Sequence, residues 1–146
     1  MTGAAFVDAN VLVYARDASE PEKQRKASAW MAHLWRERTG RLSIQVLHEF
    51  YVTVTQKLKP GMARDAARRE IQNLTAWRPL PMDIGLLTQA WVVQDRHRVA
   101  FWDALIVAAA QVARCRYLLS EDLQDGHQMG DTTVVNPFLH DFASLP

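Results

Sequence analysis

The stretch AAFVDANVLVYAR, residues 4–16, points to the fold of this 146-residue chain. Its first four residues, 4–7, form an apolar run that is too short for a helix and is typical of a buried strand. The run ends at Asp8, and helical spacing begins almost at once over residues 10–16. A strand that passes directly into a helix is typical of an α/β fold, in which functional groups lie beyond the carboxyl ends of the strands.

The rest of the chain continues this alternation of short apolar runs and amphipathic helices. Further strands are predicted at residues 41–44, 117–120 and 132–135, with a brief extended piece at 77–81. Further helices are predicted at residues 21–38, 46–58, 62–75, 84–96 and 102–114. Short strands separated by helices predict a parallel sheet covered on both faces, and no linker or repeat divides the chain. Residues 1–146 are therefore expected to form a single α/β domain.

Two helix starts carry recognisable capping patterns. Ser19 and Glu22 stand three residues apart around Pro21, which is a capping-box pattern with Ser19 as the predicted N-cap. Asp83 is the predicted N-cap of the helix at residues 84–96.

The composition limits the class of protein. Hydrophobic residues make up 49% of the chain, which permits a real core and excludes a disordered or fibrous protein. The formal net charge is +1, so any nucleic-acid surface must be a local patch. A single cysteine, Cys115, excludes an internal disulfide and suits the reducing cytoplasm. No apolar stretch is long enough to span a bilayer and no export signal is recognised, so a cytoplasmic protein is expected.

Four acids occupy corresponding positions in the predicted topology. Asp8 and Asp122 follow strands, Asp103 lies in the first turn of the buried helix, and Glu49 lies one turn into the helix after the second strand. Converging carboxylates repel one another and raise their own pKa values, and a bound Mg²⁺ or Mn²⁺ would relieve that repulsion. Such an ion can bind a phosphate oxygen and activate a water molecule. The pattern therefore predicts a site for a divalent metal ion that could act on a phosphate group.

Each of these acids also has an ordinary structural explanation. Asp8 and Asp103 could serve only as helix N-caps. Glu49 could lie on a solvated helix face, and Asp122 could belong to a polar turn. These explanations differ from a shared site in one respect, because only a shared site requires the four acids to lie close together in space.

Two other classes of metal-dependent protein fit these residues less well. A phosphatase of the haloacid dehalogenase type needs a second acid two residues after Asp8, where this chain has Asn10. A phospho-accepting receiver domain needs adjacent acids near the first strand and a lysine near the last, and neither is found. A non-catalytic RNA-binding or protein-interaction module on the same fold remains the alternative function.

Basic and aromatic residues give weaker signals. Most of the arginine and lysine clusters are interpreted as solvated helix faces, and most tryptophans as core residues. Arg96 and Arg98 are the best candidates for RNA binding because they are the nearest in sequence to Asp103.

Several motifs together resemble the PIN-domain family, and within it the VapC-type ribonuclease toxins of toxin–antitoxin pairs. These motifs are FVDANVLVYARD (6–17), SIQVLHEFYVTVT (43–55), FWDALIVAAA (101–110), LLSEDLQDG (118–126) and VVNPF (134–138). The resemblance implies a three-layer α/β/α sandwich with a central parallel sheet of four or five short strands. It also implies Mg²⁺- or Mn²⁺-dependent cleavage of RNA.

The resemblance further implies roles for individual residues and partners. The family's metal-binding acids fall on Asp8, Glu49, Asp103 and Asp122. Asn10 and Ser120 match supporting polar positions, and Asp125 matches an additional acid found in some members. An antitoxin that blocks the site and a homodimeric state are implied as well.

Overall fold

A five-stranded sheet forms the centre of the protein, whose computed structural model describes residues 3–145. Its strands are β1 (Ala5–Val7), β2 (Gly40–Arg41), β3 (Tyr117–Leu119), β4 (Gln128–Met129) and β5 (Thr132–Val135). The strand order is β2-β1-β3-β5-β4, and all neighbours pair in parallel except β4, which pairs antiparallel with β5. The carboxyl ends of the four parallel strands therefore share one edge of the sheet.

Six α-helices surround this sheet. They are α1 (Ala9–Tyr14), α2 (Pro21–Glu37), α3 (Ile44–Val52), α4 (Arg64–Leu74), α5 (Ile84–His97) and α6 (Phe101–Val112). A π-helical turn (Thr53–Lys57) extends α3, and 3₁₀ turns occupy Thr75–Trp77 and Phe142–Ser144. Every residue of β1 and β3 is buried, so the sheet is covered on both faces, and the predicted α/β sandwich is confirmed. Among residues 3–145, no helix combines the length and the apolar composition needed to cross a membrane.

The helix α6 packs tightly against the rest of the molecule because its side chains are small. Residues 104–110 are all buried, and four of these seven are alanines. Cys115 follows this helix and is 2% exposed, and burial raises the pKa of its thiol to about 12. The thiol therefore stays protonated at neutral pH.

Local capping explains where several elements begin. Asp83 accepts a hydrogen bond from the Leu86 N–H at 2.9 Å, so the predicted cap of α5 is confirmed. The capping-box prediction at Ser19 is wrong, because α2 begins at Pro21 with Glu20 in the N-cap position. Ser19 instead directs its N–H and its hydroxyl to the buried Asp17 carboxylate, at 3.0 and 2.5 Å.

The bounds of two predicted elements also differ from the structure, and one strand was not predicted. The strand expected at residues 41–44 is β2, and it ends at Arg41 because Ser43 caps α3 through the Val46 N–H. The helix expected at 46–58 begins at Ile44 and changes to π-helical geometry after Val52. The two-residue strand β4 was not predicted, since such a short edge strand leaves no recognisable pattern.

The extended piece predicted at residues 77–81 is present in part. Leu80 forms an isolated parallel bridge with Ser43 beyond β2, while Trp77 belongs to the preceding 3₁₀ turn. This segment covers the outer side of the sheet next to β2.

Arginines end several of the helical segments. The four non-glycine residues with positive φ within residues 3–145 are Arg38, Arg78, Arg98 and Arg114, with φ between 52° and 58°. Glycine is the usual residue in this left-handed conformation, and a side chain there costs about 1 kcal/mol. A positive charge at a helix end recovers part of this cost.

Candidate active site

The junctions after β1 and β3 bring Asp8 and Ser120 together. Val7 pairs with Leu119 at the end of the two strands, and the Asp8 N–H donates to the Leu119 carbonyl at 3.0 Å. Asp8 and Ser120 are therefore the first residues beyond the carboxyl ends of neighbouring parallel strands. This is where functional side chains are expected in such a sheet.

Asn10 and Ser120 connect Asp8 to Asp122. The Ser120 hydroxyl donates to Asp8 Oδ2 at 2.8 Å and accepts from the Asp122 N–H at 3.1 Å. Asn10 Nδ2 lies 3.3 Å from Asp8 Oδ2, 3.2 Å from Ser120 Oγ and 3.2 Å from Asp122 Oδ2. Asn10 Oδ1 also accepts from the Glu121 N–H at 3.2 Å, which fixes the loop after β3.

Asp8 is a buried acid in a negatively charged environment. It is 7% exposed, and burial raises the pKa of its carboxyl group to about 6. Hydrogen bonds from Ser120 and the Ala9 N–H lower this pKa, whereas the charges of Glu49 and Asp122 raise it. Asp8 also caps α1 through the Ala9 N–H, so the structural interpretation of this residue is confirmed, while its role in a metal site stays a prediction.

The other two predicted acids, Glu49 and Asp103, interact electrostatically with Asp8 and Asp122, respectively. Glu49 accepts a hydrogen bond from Gln45 Nε2 at 3.0 Å, and its charge acts on Asp8. Burial raises the pKa of Asp103, and so does the nearby charge of Asp122. Asp103 does not act as the cap of α6, because the N-cap position belongs to Ala100.

We call the four acids Asp8, Glu49, Asp103 and Asp122 the acid cluster. The charges of Glu49 and Asp122 raise the pKa of Asp8, and the charge of Asp122 raises that of Asp103. Within residues 3–145, however, no group of three or more Asp, Glu, His or Cys side chains is already arranged to hold a metal ion. The donor set still fits a hard divalent cation, because it offers only oxygen ligands. No Lys or Arg side chain described by the structure forms an ion pair with these acids.

A nearby lysine is neutralised by a different acid. The Lys23 ammonium forms an ion pair with Glu121, the residue before Asp122, and lies 3.4 Å from the Tyr14 hydroxyl. It also lies 4.7 Å from the centre of the Tyr14 ring. The hydrogen bond to Glu121 raises the pKa of Lys23, so the lysine stays charged. This contact could not be predicted from the sequence, because it joins residues that are 98 positions apart.

Asp125 forms its hydrogen bonds with residues outside the acid cluster. Its two carboxylate oxygens meet the Asn136 N–H and His140 Nε2, each at 2.8 Å. Burial acts to raise the pKa of Asp125, but these hydrogen bonds hold it below its ordinary value.

The two arginines predicted to bind RNA lie in different places. Arg96 lines a cavity of about 710 Å³ together with Gln111 and Arg114, which lie at the opposite end of α6 from Asp103. Arg98 lies in the short turn between α5 and α6, immediately before the helix that carries Asp103.

The raised pKa of Asp8 predicts a pH-dependent stability. Its carboxyl group has a pKa of about 6 in the folded protein and 3.8 ordinarily, so between these values the folded state keeps a proton that the unfolded state has lost. The stability of the metal-free protein should therefore fall as pH rises through this range, by up to about 3 kcal/mol. Urea unfolding in EDTA at several pH values measures this effect. The Asp8→Asn variant should lack it, and identical pH profiles for the two proteins would contradict the assignment.

Comparison with known proteins identifies the family. The model of the PIN domain family matches residues 5–124. This chain belongs to the PIN domain family. The matched range includes the whole acid cluster, and the resemblance inferred from the sequence motifs is confirmed. No curated protein is significantly similar to this PIN domain in sequence.

Solved structures show the same fold. The PIN domain is similar to a toxin–antitoxin complex from Klebsiella pneumoniae, with 18% identity, a TM-score of 0.64 and coverage of 92% of this chain and 98% of that one. It is similar to FitAB bound to an IR36 DNA fragment, with 23% identity, a TM-score of 0.66 and coverage of 92% and 95%. It is also similar to Mycobacterium tuberculosis VapC20, described as a sarcin–ricin loop cleaving toxin, with 22% identity, a TM-score of 0.57 and coverage of 82% and 92%.

Proposed function

We propose that this PIN domain is an endoribonuclease that depends on Mg²⁺ or Mn²⁺, and that it is the toxin of a type II toxin–antitoxin pair. The observation that carries the proposal is the state of Asp8. It is a buried carboxylate whose pKa is raised to about 6 by burial and by two neighbouring acids, and no cationic side chain among residues 3–145 forms an ion pair with it. An unpaired buried charge is costly to a fold, and a bound divalent cation explains why this one is retained.

In this proposal Asp8, Asp103 and Asp122 would hold the cation, and Glu49 would assist in binding it. A divalent cation bound there would act as a Lewis acid toward a phosphate oxygen and would lower the pKa of a bound water molecule. Ser120 keeps Asp8 oriented through its hydroxyl, and Asn10 restrains the Asp122 carboxylate. Asp8 must release the proton that it carries below pH 6, which makes cation binding weaker in acid.

The proposal includes two protein partners and a location. An antitoxin is supported by the likeness of the fold to a toxin–antitoxin complex. Both an antitoxin and a homodimer would bury apolar side chains that are exposed here, and Met82, Ile84 and Trp102 are 39%, 74% and 65% exposed. These three line a groove of about 620 Å³ that also includes Gln45, the partner of Glu49. We place the protein in the cytoplasm, where its one thiol would stay reduced.

Metal dependence tests the enzymatic part of this proposal. Purified protein is incubated with end-labelled single-stranded RNA in Mg²⁺, in Mn²⁺ and in excess EDTA, with DNA of the same sequence as a control. We expect cleavage of RNA with either ion, none in EDTA, and recovery when Mn²⁺ is added in excess.

Two outcomes would contradict the proposal. Equal cleavage in EDTA would exclude a metal-dependent mechanism. Retention of intact RNA under every condition would favour the alternative, a non-catalytic RNA-binding module on the same fold.

A further inference from the structure

A further cavity lies beside the amino end of β2, and none of the acid cluster lines it. We call it the amino-edge cavity, and its volume is about 700 Å³. Its lining includes Trp35 and Arg38 from the end of α2, Arg41 from β2, and Trp77 and Arg78 from the 3₁₀ turn. These residues come from two stretches of the chain, 35–41 and 77–78, which meet only in the folded protein.

The cavity concentrates positive charge. Arg38 and Arg78 are exposed, and Arg41 is half-buried. None of the three forms an ion pair with an acid among residues 3–145. Arg41 Nη1 donates to the carbonyls of Gly40 and Arg38 at 2.8 and 3.2 Å, which fixes its guanidinium group at the cavity. Uncompensated guanidinium groups in a concave surface attract phosphates.

An aromatic surface lies beside these arginines. Trp77 is 6% exposed and packs so closely on Gly40 that a Cβ atom there would lie 2.4 Å from the indole ring. Trp35 contacts this fixed ring, with centroids 5.0 Å apart and planes at 47°. Trp35 itself remains 40% exposed, and an exposed indole held by a rigid neighbour offers a surface on which a base can stack.

Two of these arginines have an unusual backbone conformation. Arg38 and Arg78 have φ values of 58° and 52°, in the region that favours glycine. A positive charge near a helix end accounts for part of this choice. The helix-end charge does not account for an open cavity that two such arginines line together with an exposed tryptophan.

We propose that the amino-edge cavity is a second RNA-binding site. It binds a single-stranded segment through phosphate contacts from Arg38, Arg41 and Arg78 and through stacking of a base on Trp35. Alternating phosphates and bases match this combination of guanidinium groups and indole. The site requires no metal ion, and it would hold a long RNA while another part of the same strand is cleaved.

The test is RNA binding measured in EDTA, where metal-dependent cleavage is switched off. Fluorescence anisotropy with a labelled single-stranded RNA compares the wild-type protein with the double variant Arg38→Gly, Arg78→Gly. Glycine suits both left-handed positions, so thermal unfolding should show no loss of stability. We expect affinity to fall about tenfold, and the slope of log K against log salt to become shallower by about 1.4.

Three further variants sharpen the result. The double variant Arg64→Ala, Arg69→Ala removes the same charge from exposed positions of α4 and should bind RNA as the wild type does. Trp35→Ala should weaken binding roughly tenfold without changing the salt slope, whereas Trp35→Phe should retain most of the affinity.

The outcomes separate this proposal from the nuclease proposal. Unchanged affinity and salt slope in the arginine-to-glycine variant would overturn it, and so would an equal loss in the α4 variant. Displacement of the RNA by an acidic peptide, together with no effect of Trp35→Ala, would also overturn it and would assign the cavity to a protein partner. Because the assay contains EDTA, a failure to detect cleavage elsewhere leaves the result unaffected.

Discussion

Replacing Asp8 with asparagine is expected to abolish RNA cleavage and leave the fold intact. Asparagine has almost the same shape, and its carbonyl oxygen can still accept the Ala9 N–H that caps α1. It lacks the negative charge that the proposed cation requires. We expect the cleavage rate in saturating Mn²⁺ to fall on the order of a thousandfold, as when a main electrostatic group is removed from an active site. Initial rates on labelled RNA, with thermal unfolding of the same sample, measure both effects.

Two further variants define the cause of this loss. Asp95→Asn removes an exposed acid from α5 and should leave the rate unchanged. Ser120→Ala removes the hydroxyl that orients Asp8, and it should weaken cation binding by about 10- to 100-fold. Higher Mn²⁺ should therefore restore part of the activity of Ser120→Ala and none of that of Asp8→Asn. A fully active Asp8→Asn protein would refute the proposed site.

The second large effect concerns stability, because Trp30 joins α2 to the C-terminal segment. Trp30 is 2% exposed, and its Nε1 donates to the carbonyls of Pro137 and His140 at 2.9 and 3.2 Å. The ring also packs edge-on against Phe142, with centroids 5.6 Å apart. Trp30→Ala should lower the free energy of unfolding by about 4 kcal/mol, through the cavity and the unsatisfied carbonyls that it leaves. Urea denaturation followed by circular dichroism measures this loss.

The matched control is Trp91→Ala. Trp91 is 50% exposed on α5, and its removal should change the free energy of unfolding by less than about 0.5 kcal/mol in the monomer. Trp30→Phe should have an intermediate effect, because it keeps most of the ring and loses the N–H donor. Equal stability of Trp30→Ala and Trp91→Ala would show that the C-terminal segment contributes little to the fold.

Local pattern was sufficient to predict the features that depend on neighbouring residues. The apolar run before Asp8 predicted β1, and the spacing after Asp83 predicted α5 together with its cap. The convergence of the four acids stays a prediction, supported by the burial of Asp8 and by the effect of the Asp122 charge on the pKa of Asp103. The strand and the capped helix were predictable because apolar spacing and capping act between residues that are close in the sequence.

Features that depend on distant contacts could not be predicted in this way. The ion pair of Lys23 with Glu121 joins α2 to the loop after β3, and no local spacing indicates it. Ser19 matched a capping pattern, but a buried neighbour, Asp17, competes for its hydroxyl. Arg38 and Arg41 belong to a cluster that was interpreted as a solvated helix face, and Arg78, which belongs to no cluster in the sequence, lines the same cavity only in the folded chain.

The edge strands β2 and β4 restrict how another chain can bind this protein. Each contains two residues, so neither edge offers a row of free N–H and C=O groups on which a foreign strand can pair. Beyond β2, Leu80 already occupies the outer side by pairing with Ser43. A partner therefore has to recognise side chains on helices and loops, and strand exchange or fibril-like stacking of the sheet is disfavoured from the outset.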